Sequence, residues 1–122
     1  MTELLICLVL LQAKHLICDW VLQPKWMWAN KGTYGHFGGV CHALFNGSGT
    51  ALIISAFYGN FLIVLLIDSL LHYHIDFAKM NILKSLELKP EKDPAFWWLT
   101  GADQYLHQCT YLIILLCITL KT

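Results

Sequence analysis

The chain has 122 residues, enough for one domain, but 57% apolar and 13% charged content departs from the soluble average of roughly 45–50% and about 25%. Eight lysines balance eight acids and there is no arginine, so no net basic field exists to neutralise phosphates, and nucleic acid drops out as an expected partner. Five cysteines, at positions 7, 18, 41, 109 and 117, form no C-x-x-C pair and read as small buried apolar residues, not as a disulfide framework or zinc ribbon.

Crossing a bilayer takes roughly 20 mostly apolar helical residues, and four stretches qualify: about 2–23, 36–58, 60–80 and 102–120. The expected fold is therefore all-α, one transmembrane domain over residues 1–122 built as a bundle of four spans. A soluble four-helix bundle is the competing architecture, since Lys14, His15 and Asp19 interrupt the first span and Asp68, His72, His74 and Asp76 the third. Phe61–Ile67 and Tyr111–Leu120 argue against it, being apolar on every side where a soluble helix needs one stripe.

In chain order, the run Leu4–Leu11 follows Glu3 in place of a basic leader and precedes no small-residue cleavage site, so it reads as a retained span. Pro24 closes the first helix, and Lys25-Trp26-Met27-Trp28 reads as a short interfacial segment with indoles at headgroup level. Gly35-x-x-x-Gly39 and Gly47-Ser48-Gly49 allow close backbone approach within the second span or a local break there, with packing the commoner use. Tyr58-Gly59-Asn60 is a tight turn, and residues 81–101, with Pro90 and Pro94, form the one sizeable polar loop. Lys25 and Lys31 in the 24–35 loop and Lys79, Lys84, Lys89 and Lys92 near the 81–101 loop mark one face, opposite both termini and Lys121. By the positive-inside rule the two loops are cytoplasmic and both termini face outward across a cell inner membrane.

A charge in hydrocarbon costs at least ~2.5–3.5 kcal/mol unless it faces a partner or water. His15 and Asp19, His72 and Asp76, and Asp103 and His107 are each four residues apart, on one helical face. The fourth span runs opposite to the first and third, and the order of acid and histidine reverses in it. The three aspartates then fall at one depth, with the three histidines and His42 about one turn deeper.

Three readings fit this pattern. Facing imidazoles and carboxylates can bind one or two divalent metals, zinc, iron or manganese, through His15, Asp19, His42, His72, Asp76, Asp103 and His107. An open coordination position would make bound water a nucleophile, with a spare carboxylate of Asp19, Asp76 or Asp103 as general base, which gives a metal-dependent hydrolase of a membrane-adjacent substrate. Alternatively the groups carry protons or an ion, or each pair holds helices together; three pairs and a fourth histidine at one depth favour a shared site over separate helix contacts. Lys14 and Asp68 fall at similar depth and would neutralise one another as a pair. No phosphate loop or G-x-S-x-G elbow is present.

The run His15-Leu-Ile-Cys-Asp19-Trp-Val-Leu-Gln23, then Trp26-Met27, Asn30-Lys31, Cys41-His42-Ala43, His72-x-x-Ile75-Asp76-Phe-Ala-Lys79 and Asp103-Gln104-x-x-His107, resembles the small bacterial and phage membrane proteins of domain of unknown function 3307. The resemblance covers nearly the whole chain and implies a multi-helix membrane protein without assigning an activity. It adds Gln23, Asn30, Lys31, Lys79 and Gln104 as positions at the mouth of the site or behind its ligands. The extra His74, two residues from His72, departs from the family pattern and leaves open which imidazole acts. The expected partners are membrane lipid and, as a homo-oligomer or a small subunit of a larger complex, other protein chains. The different-class alternative is a non-enzymatic subunit that conducts ions or protons, packs in an assembly, or ligates a tetrapyrrole.

Overall fold

The structure, a computed structural model, describes residues 1–120; Lys121, counted with the termini in the charge argument, lies outside the described residues. Five α-helices and no strand occur among them: α1 (Thr2–Leu16), α2 (Lys25–Trp28), α3 (Phe37–Tyr58), α4 (Phe61–Ser85) and α5 (Pro94–Thr119). A π-helical turn, Ile17–Val21, prolongs α1. Pro24 has no N–H and its ring excludes the carbonyl four residues back, so the helix must end here. It ends by widening: Leu22 N–H donates to Ile17 O at 2.8 Å, and the Gln23 amide N–H donates to the Asp19 carbonyl.

Two expected boundaries move. Helix α4 runs to Ser85 instead of about 80, and α5 begins at Pro94 instead of about 102, so the polar loop shrinks to residues 86–93. Hydropathy marks where an apolar phase ends, not where the backbone ladder ends. Leu83 is still buried in the last turn of α4, and Pro94 at the start of α5 has its φ set for a first helical turn. The Trp97 indole N–H donates to Pro90 O at 3.0 Å and ties that turn to the loop.

The interior is inverted. Among the described residues fourteen polar or charged side chains are buried beside twelve apolar ones, while Val9, Leu52, Leu62 and Leu116 are each more than half exposed. A water-facing surface rarely carries a continuous apolar belt of that kind. Three helices are long and apolar enough to cross a membrane: Thr2–Val21, Phe37–Tyr58 and Phe61–Ser85. Helix α5 has the length but carries Asp103, Gln104, His107 and Gln108 about its middle, and two of these, Asp103 and His107, are buried inside the bundle.

Helix α3 runs unbroken through Gly47-Ser48-Gly49, so these glycines serve packing. A Cβ on Gly47 would stand 2.0 Å from Ser69 Oγ and 3.0 Å from the Leu65 carbonyl, and one on Gly49 would stand 2.8 Å from Lys14 Cδ. The α3–α4 turn is as short as expected; Gly59 adopts φ 73°, ψ −157°, a conformation open essentially to glycine alone. Both connections that carry lysines sit at one end of the bundle, because the Asn81 amide donates to Gly32 O at 3.0 Å. At the other end Cys7, Leu11, Ala51, Ile54, Val64, Ile114, Leu115 and Ile118 form an apolar core.

Candidate metal centre

The π-helical turn, the start of α3, the middle of α4 and the middle of α5 all bring polar groups to one buried point. His42 Nε2 lies 2.8 Å from Asp19 Oδ1 and 3.5 Å from Asp76 Oδ2. His72 Nε2 lies 3.3 Å from each of these oxygens and 3.1 Å from His42 Nε2. Asp19, His42, His72 and Asp76 thus offer four ligand-type atoms within 4.8 Å of one another, all buried.

A second group adjoins the first and shares Asp76. His107 Nε2 is 3.5 Å from Asp76 Oδ1 and 3.4 Å from Asp103 Oδ1. Asp76 therefore turns Oδ2 to His42 and His72 and Oδ1 to His107. The His72 and His107 rings stack at 4.0 Å between centroids, which joins the two groups. Neither His107 Nε2 nor Asp103 Oδ1 has a hydrogen-bond partner, so the contact between them lacks the geometry of a bond.

Six of the seven residues expected as ligands fall into these two groups, and His15 stands outside them. Its two nitrogens are engaged: Nδ1 is 2.9 Å from Tyr111 OH and Nε2 is 2.8 Å from Gln104 Oε1. Lys14 Nζ donates to the same Tyr111 hydroxyl at 2.9 Å, so the hydroxyl proton is free to go to His15 Nδ1, and the His15 Nε2–H then donates to Gln104. Gln104 Nε2 passes the chain on, donating to Asp103 Oδ2 at 3.0 Å and Asp19 Oδ2 at 3.3 Å. His15 orients Gln104, and Gln104 orients two carboxylates.

The Lys14–Asp68 ion pair expected from matching depth does not form. Lys14 donates instead to Tyr111 and to Asn46 O and Oδ1, at 3.2 and 3.3 Å. Asp68, fully buried, interacts with Lys14 electrostatically only, and neither of its carboxylate oxygens has a hydrogen-bond partner. Of the doubled histidines, His72 enters the centre; His74 is exposed and lies between Leu70 O and Tyr34 OH. His36 caps α3 by accepting from Gly38 N–H.

Sequence reading missed Asn46. Its Nδ2 lies 3.1 Å from His42 Nε2 and 3.4 Å from Asp19 Oδ1, and the signal was there: it follows His42 by four residues, the spacing of the three pairs. The ion pairs of Lys31 with Asp76 at 2.8 Å and Lys79 with Asp103 at 3.3 Å were also beyond it. Gln23, Lys31, Lys79 and Gln104 line a cavity of about 170 Å³ that reaches Asp19 from the lysine-bearing end; Asn30 does not line it.

The family described as protein of unknown function (DUF3307) matches residues 5–122. The chain belongs to this family. No curated protein and no solved structure matches it. Membership assigns no chemistry, and the buried His/Asp groups that could hold a metal ion carry the functional reading.

Proposed function

We propose that this DUF3307 member is a four-span membrane protein whose polar interior is a two-metal centre near the cytoplasmic face, working as a hydrolase on a membrane-adjacent substrate. The observation that carries the reading is the position of Asp76, one oxygen to each of two ligand groups. Paired-metal hydrolytic sites hold their ions roughly 3.5–4 Å apart, a span that one carboxylate bridges.

Spacing within the first group supports it. Donors about 2.0–2.2 Å from a tetrahedral centre stand roughly 3.3–3.6 Å from one another; three separations in this group, of 3.3, 3.3 and 3.5 Å, fall in that range, and two, of 2.8 and 3.1 Å, are shorter. Hydrogen bonding alone satisfies the group poorly. One proton fits between His42 Nε2 and His72 Nε2, yet Asp19, Asp76 and Asn46 converge on the same two nitrogens. A cation at their common centre relieves that competition.

In this reading Asp19, His42, His72 and Asp76 hold one ion, and Asp76, Asp103 and His107 the other, with positions open for water. Bound water ionises near neutral pH at such a centre. Asp19 reaches the cavity and keeps Oδ2 on Gln104, which places it to accept a proton from that water. Zinc, iron and manganese all suit the mixed nitrogen and oxygen donors.

Proton or ion conduction is the second reading, favoured by the polar file that leaves the centre through Asn46, Lys14 and Tyr111 toward Asp68. It ranks below the first because the apolar core fills the remaining half of the bundle. Ligation of an external tetrapyrrole is disfavoured by burial, since His15, His42, His72 and His107 are at most 4% exposed. Metal analysis of the purified protein, with His42→Ala and Asp76→Asn as controls, tests the proposal. Metal lost altogether in Asp76→Asn and in part in His42→Ala supports it; wild-type protein that stays metal-free in replete medium ends it.

A further inference from the structure

We infer that the cavity at the mouth of the centre takes a phosphate-bearing anion, with Lys31 and Lys79 as its clamp. The inference rests on the two-metal reading and names its substrate class.

Both lysines line the cavity, and both ammonium groups now rest on carboxylates of the centre, Lys31 on Asp76 at 2.8 Å and Lys79 on Asp103 at 3.3 Å. Those two carboxylates are the ones that the second ligand group needs. The lysines hold the Oδ2 atoms and His107 faces the Oδ1 atoms, so a metal entering the second group competes with the ammonium charges for the same two carboxylates, not for the same oxygens. A lysine stem is flexible, and an ammonium freed from its carboxylate has the cavity beside it.

Charge then selects the guest. With the imidazoles neutral, as ligation requires, three aspartates and two lysines carry one negative charge, and two divalent ions make the centre three positive. A metal-bound hydroxide neutralises one of these charges and a phosphate monoester dianion the other two. A carboxylate guest would leave one positive charge buried, which is expensive in this setting.

Size and position narrow the guest further. About 170 Å³ is small beside the roughly 300–1,000 Å³ of pockets that swallow a whole ligand, so the site suits a headgroup. Trp20 and Trp28 line the opening, and both are about half exposed. Indoles of that kind settle at the membrane–water boundary, the depth of lipid phosphates. The shared chemistry is a phosphate monoester, whether carried by a lipid or by a soluble molecule.

The test uses the full chain in detergent, loaded with Zn²⁺ or Mn²⁺, and follows thermal unfolding as inorganic phosphate is added. Mixed micelles holding phosphatidic acid or phosphatidylcholine form the second arm. Phosphate or phosphatidic acid should stabilise the loaded protein where sulfate, acetate and phosphatidylcholine do not. Lys31→Gln with Lys79→Gln should weaken that binding about ten- to a hundredfold while metal content holds. Lys79→Gln alone, at the more exposed position, serves if the double variant folds poorly. Response to phosphatidic acid alone assigns a lipid source, and response to both assigns the phosphate group itself. Metal uptake with no phosphate response overturns the clamp and leaves the metal centre standing; no metal uptake overturns both.

Discussion

The imidazoles of His42 and His72 meet nitrogen to nitrogen, Nε2 to Nε2, at 3.1 Å, although their residues stand on different helices thirty positions apart. At most one proton fits between them, and two carboxylates crowd the same space.

Stoichiometry tests the shared role of Asp76. Elemental analysis should find about two ions per wild-type chain, about one in Asp103→Asn, and none in Asp76→Asn, since Asp76 belongs to both groups. Equal content in the two variants would remove the bridge.

His72 and His74 should separate cleanly. His72→Ala should lose the metal of the first group, whereas His74→Ala should retain metal and unfold within about 0.5 kcal/mol of wild type, as exposed positions do. Metal content and a detergent melt on the same samples give both answers.

Gly47→Ala should destabilise the bundle by about 1–3 kcal/mol, because the added methyl meets Ser69 Oγ and the Leu65 carbonyl, and the backbone carbonyl cannot turn away. Adding Ser69→Ala should recover part of the loss. A single variant as stable as wild type would show that α3 and α4 have room to spare.

Lys14→Met should cost about 1–3 kcal/mol, for it removes the donor to Tyr111 and Asn46 and the positive charge that acts on the buried Asp68. Lys14→Met with Asp68→Asn should be milder than Lys14→Met alone in equilibrium unfolding. Simple additivity would mean that the two charges do not sense one another.

For orientation, Glu91→Cys in a Cys117→Ser background should escape a membrane-impermeant maleimide in intact cells and react after lysis. Labelling of intact cells would invert the bundle. Lys25, Lys31, Lys84, Lys89 and Lys92 at that end set the expectation.

The centre was legible in the sequence to the extent that it is a matter of depth. Spacings of four residues put each acid and its histidine on one helical face, as in the contacts of His72 with Asp76 and His107 with Asp103, and contacts between helices, His72 with Asp19 and His107 with Asp76, join the pairs. Azimuth was not legible. Nothing along α1 alone says that its histidine turns to Tyr111 and Gln104 while its aspartate joins His42. That rotation depends on the widened turn over Ile17–Val21 and on neighbouring helices. Lys31 was out of reach for a similar reason: it lies on an irregular connection, and its burial depends on how residues 24–36 fold back over the bundle. Helices α4 and α5 extend past the apolar stretches of 60–80 and 102–120 because hydropathy does not mark where a backbone ladder ends.

The apolar plug at the α3–α4 turn makes the polar interior a blind alley. Under the hydrolase reading, whatever enters past Trp20 and Trp28 leaves by the same door.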